Sequence, residues 1–407
     1  MSASIADERI HSLDVLRGFA VAGIIFANIL WLSGYLLAPA SIQRRVLDPH
    51  IVDEICLFFT RLLVNGKFYA IFSFLFGLGF SVQLLRGQSR DPSSFIAQYS
   101  RRLTVLFLLG CVHAWFLWWG DILRFYAVLG VFLLILRYRS DRVLLVMASI
   151  ALLAPIFLQH ALPKLTDVLP PLFSKRKTLA ILAHGGWERF FELNWQRIQY
   201  HALSNIENGR VCKIFGLFLL GFYVGRRRIF HDLTEHQQLF QRTLIWGGVL
   251  GSVMSLIRIA PIYGVLPSVL PSVKSAAFQE VIYLLSVYPL AFAYIAGISL
   301  ACQSNKLGSF LRQLAPVGKM ALSNYLLQTL FAALVFYWWG FARVGALPLR
   351  YCFALAVLIL IVQIVLSHLW LRYCHYGPVE WLWRVCTRLE WAPFRRIEVP
   401  SSGSKST

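Results

Sequence analysis

Charge is scarce in this 407-residue chain. Asp, Glu, Lys and Arg together make up 14% of it, well under the ~25% usual in soluble domains. That scarcity excludes a highly solvated or largely disordered protein. Acid is the scarcer half, with 19 Asp and Glu against 39 Lys and Arg and a formal net charge of +20. In a soluble protein such an excess would suggest nucleic acid. Here the basic residues gather in short loops between apolar runs, the pattern of cytoplasmic loops, so no nucleic-acid partner is expected. The seven cysteines are scattered, with no Cys-x-x-Cys pair, which argues against a zinc site or a disulfide framework. The sequence also lacks a phosphate-loop glycine motif, a dinucleotide fingerprint, a His-x-x-x-His pair and a G-x-S-x-G elbow. Neither a metal nor a tightly bound cofactor is expected. No internal repeat is visible, so an inverted-repeat transporter is not indicated.

Apolar residues are what the chain has in excess: 58% is hydrophobic and the mean hydropathy is +0.63. Several runs reach the ~20 apolar residues that cross a bilayer, and a helix is the structure that satisfies their backbone there. The expected fold is all-α, a polytopic transmembrane helix bundle of about ten spans with the lipid bilayer as its partner. Helices are expected at about 12–36, 54–86, 101–119, 121–137, 142–160, 209–225, 241–262, 278–301, 319–340 and 350–373. The second is longer than a bilayer needs, and a break is expected near Asn65–Lys67. The third and fourth are parted by the "WWGD" turn at Trp118–Asp121. The polar start, "MSASIADERIHSLDVLRG", does not read as a cleavable signal, so the first span is expected to remain as a signal anchor.

Arginine and lysine set the expected orientation. One set of loops carries Arg86, Arg90, Arg101 and Arg102, then Arg137, Arg139 and Arg142, then Arg226, Arg227 and Arg228, then Lys306, Arg312 and Lys319. The alternate loops are poorer, with Arg44, Arg45 and Arg343 as exceptions. Both termini are therefore expected in the cytoplasm of a cell whose inner membrane holds the protein. The segment about 161–208 is expected outside. Its "HGGWERFFELNWQRIQY" reads either as an interfacial helix or as a folded cap over the bundle. The expected divisions are 1–208, comprising helices one to five and that outer segment; 209–395, comprising helices six to ten; and a disordered tail at 396–407.

Polar residues inside apolar helices need a reason. Asp14 and Arg17, three apart, share a face of the first helix, and Asn28 returns to it three turns later. Gly18 and Gly23 would let neighbouring helices approach. The Asp14–Arg17 pair reads as a salt bridge at the cytoplasmic end, or as the anchor of a phosphate-rich cytosolic ligand with Asp14 orienting Arg17. His113 lies deep in the third helix, and Asp121 and Arg124 open the fourth. His113 reads as a packing residue or as a general base, with Asp121 close enough across the turn to orient it. Trp115, Trp118 and Trp119 read first as an interfacial aromatic belt. In the ninth helix Lys319 and Ser323 are four apart, as are Asn324 and Gln328. They form either interhelical hydrogen bonds or a second wall of the cytosolic ligand site. "FSFLFGLGF", with Gly77 and Gly79, reads as close helix packing.

Four stretches resemble the bacterial YeiB-like family, whose C-terminal half carries the domain of unknown function DUF418. They are "HSLDVLRGFAVAGIIFANI", "GKFYAIFSFLFGLGFSVQL", the run "RRL…LLGCVHAWFLWWGDIL…YAVLG", and the pair "PVGKMALSNYLLQTL" and "YGPVEWLWRVCT". They span nearly the whole chain. That family looks distantly related to membrane acyltransferases, including the lysosomal heparan glucosaminide acetyltransferase and the O-acyltransferases of bacterial glycans. The shared piece is chiefly Asp14, Arg17 and Gly18, with Asn28 further along. The resemblance implies acyl-CoA as a donor bound from the cytosol and a glycan or lipid hydroxyl as acceptor on the far side. Relatives place a catalytic His within or just after the first helix, where this chain has only His50. His50 is therefore a second candidate beside His113.

Taken together, the expected activity is transmembrane acyl transfer. His113 and Asp121 are its catalytic pair. Asp14, Arg17, Asn28, Arg124, Lys319, Asn324 and Gln328 are its binding residues, with Asn28 a candidate oxyanion donor. A transporter or flippase, with His113, Asp121 and Arg124 lining a polar path, is the rival. A structural or signalling membrane protein is the third reading.

Overall fold

A computed structural model describes residues 11–38, 50–88, 92–161, 164–265 and 275–396. Arg44, Arg45, Arg90 and the tail beyond 396 lie outside the described residues. Among the described residues the regular structure is helical, with a single isolated bridge between Cys374 and Arg395. Helix α1 is His11–Leu32. Helix α2, Ile51–Phe59, continues as a π-helical turn, Thr60–Val64. The chain then breaks at Asn65–Gly66, where Gly66 has a φ of +85°, and resumes as α3, Lys67–Gln88. The break falls at the expected place because the turn needs the left-handed conformation that glycine adopts freely.

Helix α4 is Pro92–Phe116 and α5 is Leu123–Leu136, joined by the expected turn at Trp118–Asp121. Helix α4 begins well before 101, because the mixed stretch "SFIAQYS" continues its helical face inward through buried Phe95 and Tyr99. Helices α6, Asp141–Leu153, and α7, Pro155–Ala161, follow. Then come α8, Lys175–His184, and α9, Gly186–Glu207. The second half holds α10, Arg210–Arg226, α11, Gln237–Ile259, and α12, Ala276–Ala301. It closes with α13, Asn305–Arg312, α14, Ala315–Lys319, α15, Ala321–Phe336, α16, Leu349–Tyr373, and α17, Pro378–Arg388. The single ninth helix expected at about 319–340 is thus two pieces, α14 and α15, parted at Met320 (φ −111°, ψ 33°).

Among the described residues seven helical runs are long and apolar enough to cross a membrane: 12–37, 51–87, 94–116, 141–158, 237–263, 276–301 and 349–373. Helices 123–136 and 321–336 are apolar but shorter. Glycine sets the closest approaches. A Cβ on Gly77 would collide with the backbone carbonyl of Phe218, and one on Gly221 with that of Phe74, so α3 and α10 touch backbone to backbone. Gly18 and Gly318 do the same for α1 and α14, against Leu314 and Asp14.

Two apolar cores are stacked along the bundle. One gathers Leu16 and Ile24 of α1, Phe74 and Phe80 of α3, Leu106 of α4 and Phe218 of α10. The other gathers Ile25 and Ile29 of α1, Trp118, Trp119, Phe190 and Leu193 of α9, and Phe336 of α15. Of the segment 164–207, residues between Phe173 and Ile198 pack on this second core, so the segment is called the cap. Asn194 donates from Nδ2 to the carbonyl of Trp115 (2.7 Å), and the Trp338 N–H donates to Leu182 (2.8 Å). Trp118 and Trp119 are buried beneath it and do not form an interfacial belt. Trp115 packs on Phe191 and Trp195 of the cap. The belt reading fails because the cap supplies apolar partners that the local sequence does not reveal.

Candidate functional site

Where the two cores meet, a buried polar layer interrupts them. His113, 1% exposed, lies in it. Its Nδ1 is 3.1 Å from Asp121 Oδ1, and its Nε2 is 3.1 Å from the Thr329 hydroxyl. The second Asp121 oxygen accepts the Arg124 backbone N–H (3.0 Å) and Nε (3.4 Å), capping the start of α5. A fully buried carboxylate at Nδ1 selects the Nδ1–H tautomer. Nε2 is then a lone-pair acceptor, and the Thr329 O–H donates to it. The order hydroxyl–imidazole–carboxylate, drawn from α15, α4 and the turn before α5, can hold an imidazole in register for base chemistry. The Tyr325 ring lies 5.2 Å from that of His113, and Arg124 Nη2 is buried with no hydrogen-bond partner.

Asn324 and Gln328 face the seam between α1, α15 and α16. Asn324 Nδ2 donates to the Val317 carbonyl (3.2 Å) and to Ser367 Oγ (3.0 Å). Gln328 Nε2 donates to the Val21 carbonyl and to Gln363 Oε1, both at 3.0 Å. Gln363 closes the ladder by donating to the Asn324 carbonyl (2.7 Å). These amides bridge the helices, as intramembrane amides do, while Gln328 Oε1 is buried with no hydrogen-bond partner.

At the far end of α1, Arg17 Nη1 is 3.2 Å from Asp14 Oδ1; the aspartate side chain is 2% exposed and the arginine 36%. Helix α17 covers this end. Trp383 donates to the Arg102 carbonyl (2.8 Å) while the Arg102 guanidinium sits 3.7 Å above its ring, and Arg101 donates to the Thr387 carbonyl (2.9 Å). Glu380 accepts the backbone N–H groups of Leu322 (2.7 Å) and Ser323 (3.0 Å) and the Ser323 hydroxyl, capping α15. Burial raises the Glu380 carboxyl above the ordinary carboxylate range, while the Ser323 and Leu322 donors pull it back. Lys319 is half-buried at the α14–α15 junction, and Asn28 is half-buried in α1; no side-chain hydrogen bond joins either to the described residues. Arg102 and His113 are separated by roughly 16 Å along α4, so the Asp14–Arg17 end and the His113 layer are distinct places. His50 is exposed and caps α2: its Nδ1 accepts the Val52 N–H (3.2 Å), and its own N–H donates to Asp53 (3.1 Å).

Thr329, Gln363, Ser367 and Glu380 escape the sequence reading. Thr329 follows Gln328 directly and shares its helix with Asn324, so an extended polar face on α15 was the available signal. Among the described residues no group of three or more metal-ligating side chains occurs.

The fold and this layer define a class: a helical, multi-span membrane protein with a buried His–Asp pair. Residues 224–390 match the family described as "Protein of unknown function (DUF418)". The chain is 29% identical to the uncharacterised protein YxaH of Bacillus subtilis, covering 97% of this chain and 98% of that one. It is 30% identical to an uncharacterised 39.9 kDa protein of the amylase 3′ region of Bacillus acidopullulyticus, covering 94% of each. It is 28% identical to the uncharacterised protein YeiB of Escherichia coli, covering 93% of this chain and 96% of that one. The chain belongs to the YeiB-like DUF418 family. No solved structure matches it.

Proposed function

We propose that this protein is a multi-pass inner-membrane transacylase with both termini in the cytoplasm, moving an acyl group from cytosolic acyl-CoA to a hydroxyl of a glycan or lipid on the other face. The observation that carries the reading is the hydrogen-bonded sequence Thr329–His113–Asp121. Thr329 holds its hydroxyl where an acceptor hydroxyl would give up its proton. In the reaction the acceptor oxygen attacks the thioester carbonyl, a C–O bond forms and the C–S bond breaks. The proton passes to His113 Nε2 and then to the departing thiolate. Asp121 keeps the imidazole in the productive tautomer and offsets its charge when protonated. Support also comes from the Asp14–Arg17 pair, whose half-exposed guanidinium suits a phosphate-bearing donor. In this reading Lys319 assists that end, and Asn28 is the oxyanion donor.

The test uses purified protein in liposomes with labelled acetyl-CoA and longer acyl-CoAs. Transfer to an outer hydroxyl acceptor is expected, and His113→Ala should lower it by about 10²–10⁴-fold, with Asp121→Asn similarly impaired. No heat-shift response to any acyl-CoA and no transfer would sink the enzyme reading. Solute or lipid movement across the vesicles under those conditions would favour the transport reading instead.

A further inference from the structure

A second polar site lies beside the cap, away from the His113 layer. A cavity of about 260 Å³ is lined by Gly66, Tyr69, Asn208, Arg210, Lys213, Glu280 and Tyr283. Lys213 and Glu280 are buried and paired at 2.6 Å, so they neutralise each other. Two further cations sit on the aromatic walls. The Arg210 guanidinium is 4.8 Å from the centre of the Tyr69 ring, and Arg258 is 4.8 Å from that of Tyr283. Neither guanidinium has a carboxylate partner among the described residues. Lys67, next to Gly66, is fully buried and its Nζ has no hydrogen-bond partner. Three cations, Arg210, Lys213 and Arg258, thus gather around one carboxylate, with the Lys67 amine buried beside them. The two tyrosine hydroxyls, 3.1 Å apart, add neutral donors at the same wall.

Uncompensated charge at low dielectric is costly, and the cation–π contacts offset only part of that cost. A multiply charged anion would relieve it. Arginine forks, an ammonium and phenol hydroxyls together match the several oxygens of a phosphoryl group better than the two of a carboxylate. We propose that this cavity binds a phosphoryl group, carried either by a lipid headgroup or by a soluble phosphate. The site is independent of the acyl-transfer reading: its residues touch none of the His113 contacts.

The test uses the full chain in detergent, stripped of lipid as judged by native mass spectrometry. Thermal midpoints are read against inorganic phosphate, glycerol phosphate, and nanodiscs of phosphatidylglycerol or phosphatidylcholine alone. A rise with the soluble phosphates assigns a free phosphate; a rise and a retained lipid mass with phosphatidylglycerol alone assign a headgroup. In either case Arg210→Gln and Arg258→Gln should each weaken the response by about 10- to 100-fold. Lys67→Met should raise the midpoint of the stripped protein while blunting the response, which a merely structural lysine would not do. Wild-type protein that responds to none of these probes and retains no anionic lipid overturns the proposal, whatever the variants do.

Discussion

His201 shows what one buried ring implies. It sits on the cap helix with Nδ1 enclosed and unpartnered, edge-on to Phe125. Burial, reinforced by Arg210 and Arg124 and opposed by Asp121, pushes its imidazole down to about 3. The folded state therefore resists a proton that the unfolded chain accepts below about 6.5. Its contribution to stability is whole above that value and declines as pH falls from about 6.5 toward 3, with a limiting slope of ~1.4 kcal/mol per pH unit. Wild-type thermal midpoints should fall on acidification more steeply than those of His201→Phe; parallel curves would refute the assignment. At this scale the sequence was partly legible. Asp121 is eight residues from His113 across a visible turn, so the contact could be anticipated. Thr329 lies 216 residues away and meets His113 only once the bundle has folded, which no local pattern reports.

Individual helices were the most legible part, because apolar length and glycine spacing are local properties. The close contact of α3 with α10 follows from Gly77 and Gly221, where any side chain meets a backbone carbonyl that cannot move aside. Gly77→Leu or Gly221→Val should destabilise by ~1–3 kcal/mol or more, seen as a lower thermal midpoint in detergent. Gly248 has open space where a Cβ would sit, so Gly248→Ala is the matched control and should be close to neutral or stabilising. Equal midpoints for all three variants would count against backbone contact as the cause. The break between α14 and α15 was not legible, because "PVGKMALSNYLLQTL" has no strong breaker at Met320. Its new N-terminus is stabilised from α17 by Glu380, a long-range cap.

Over the whole molecule, the basic loops and the cap bear on orientation. The cap lies at one end of the bundle; Arg17, Arg101 and α17 gather at the other. The transacylase reading requires the first end outside. An impermeant maleimide should label Lys175→Cys, exposed at the start of α8, in intact cells. A reporter fused at the C-terminus should be active only inside. Labelling that appears only after lysis would reverse the orientation and with it the donor and acceptor sides. The cap was legible as a segment, but its packing was not, since its partners Trp115, on α4, and Tyr337 and Trp338, in the turn after α15, are distant in sequence. The cationic cavity was not legible for the same reason: Tyr69, Arg210, Arg258 and Tyr283 come from four helices.

The carboxylate that closes the first turn of α15 also sets an order of events during synthesis. Helix α15 leaves the ribosome some fifty residues before Glu380 does. Until then its first N–H groups have no protein acceptor, and a helix end left so is open to water or to rearrangement. The wall that carries Asn324, Gln328 and Thr329 therefore reaches its final register only when α17 has been made and has docked. The His113 layer is completed late, by a helix that follows α15 and α16 along the chain.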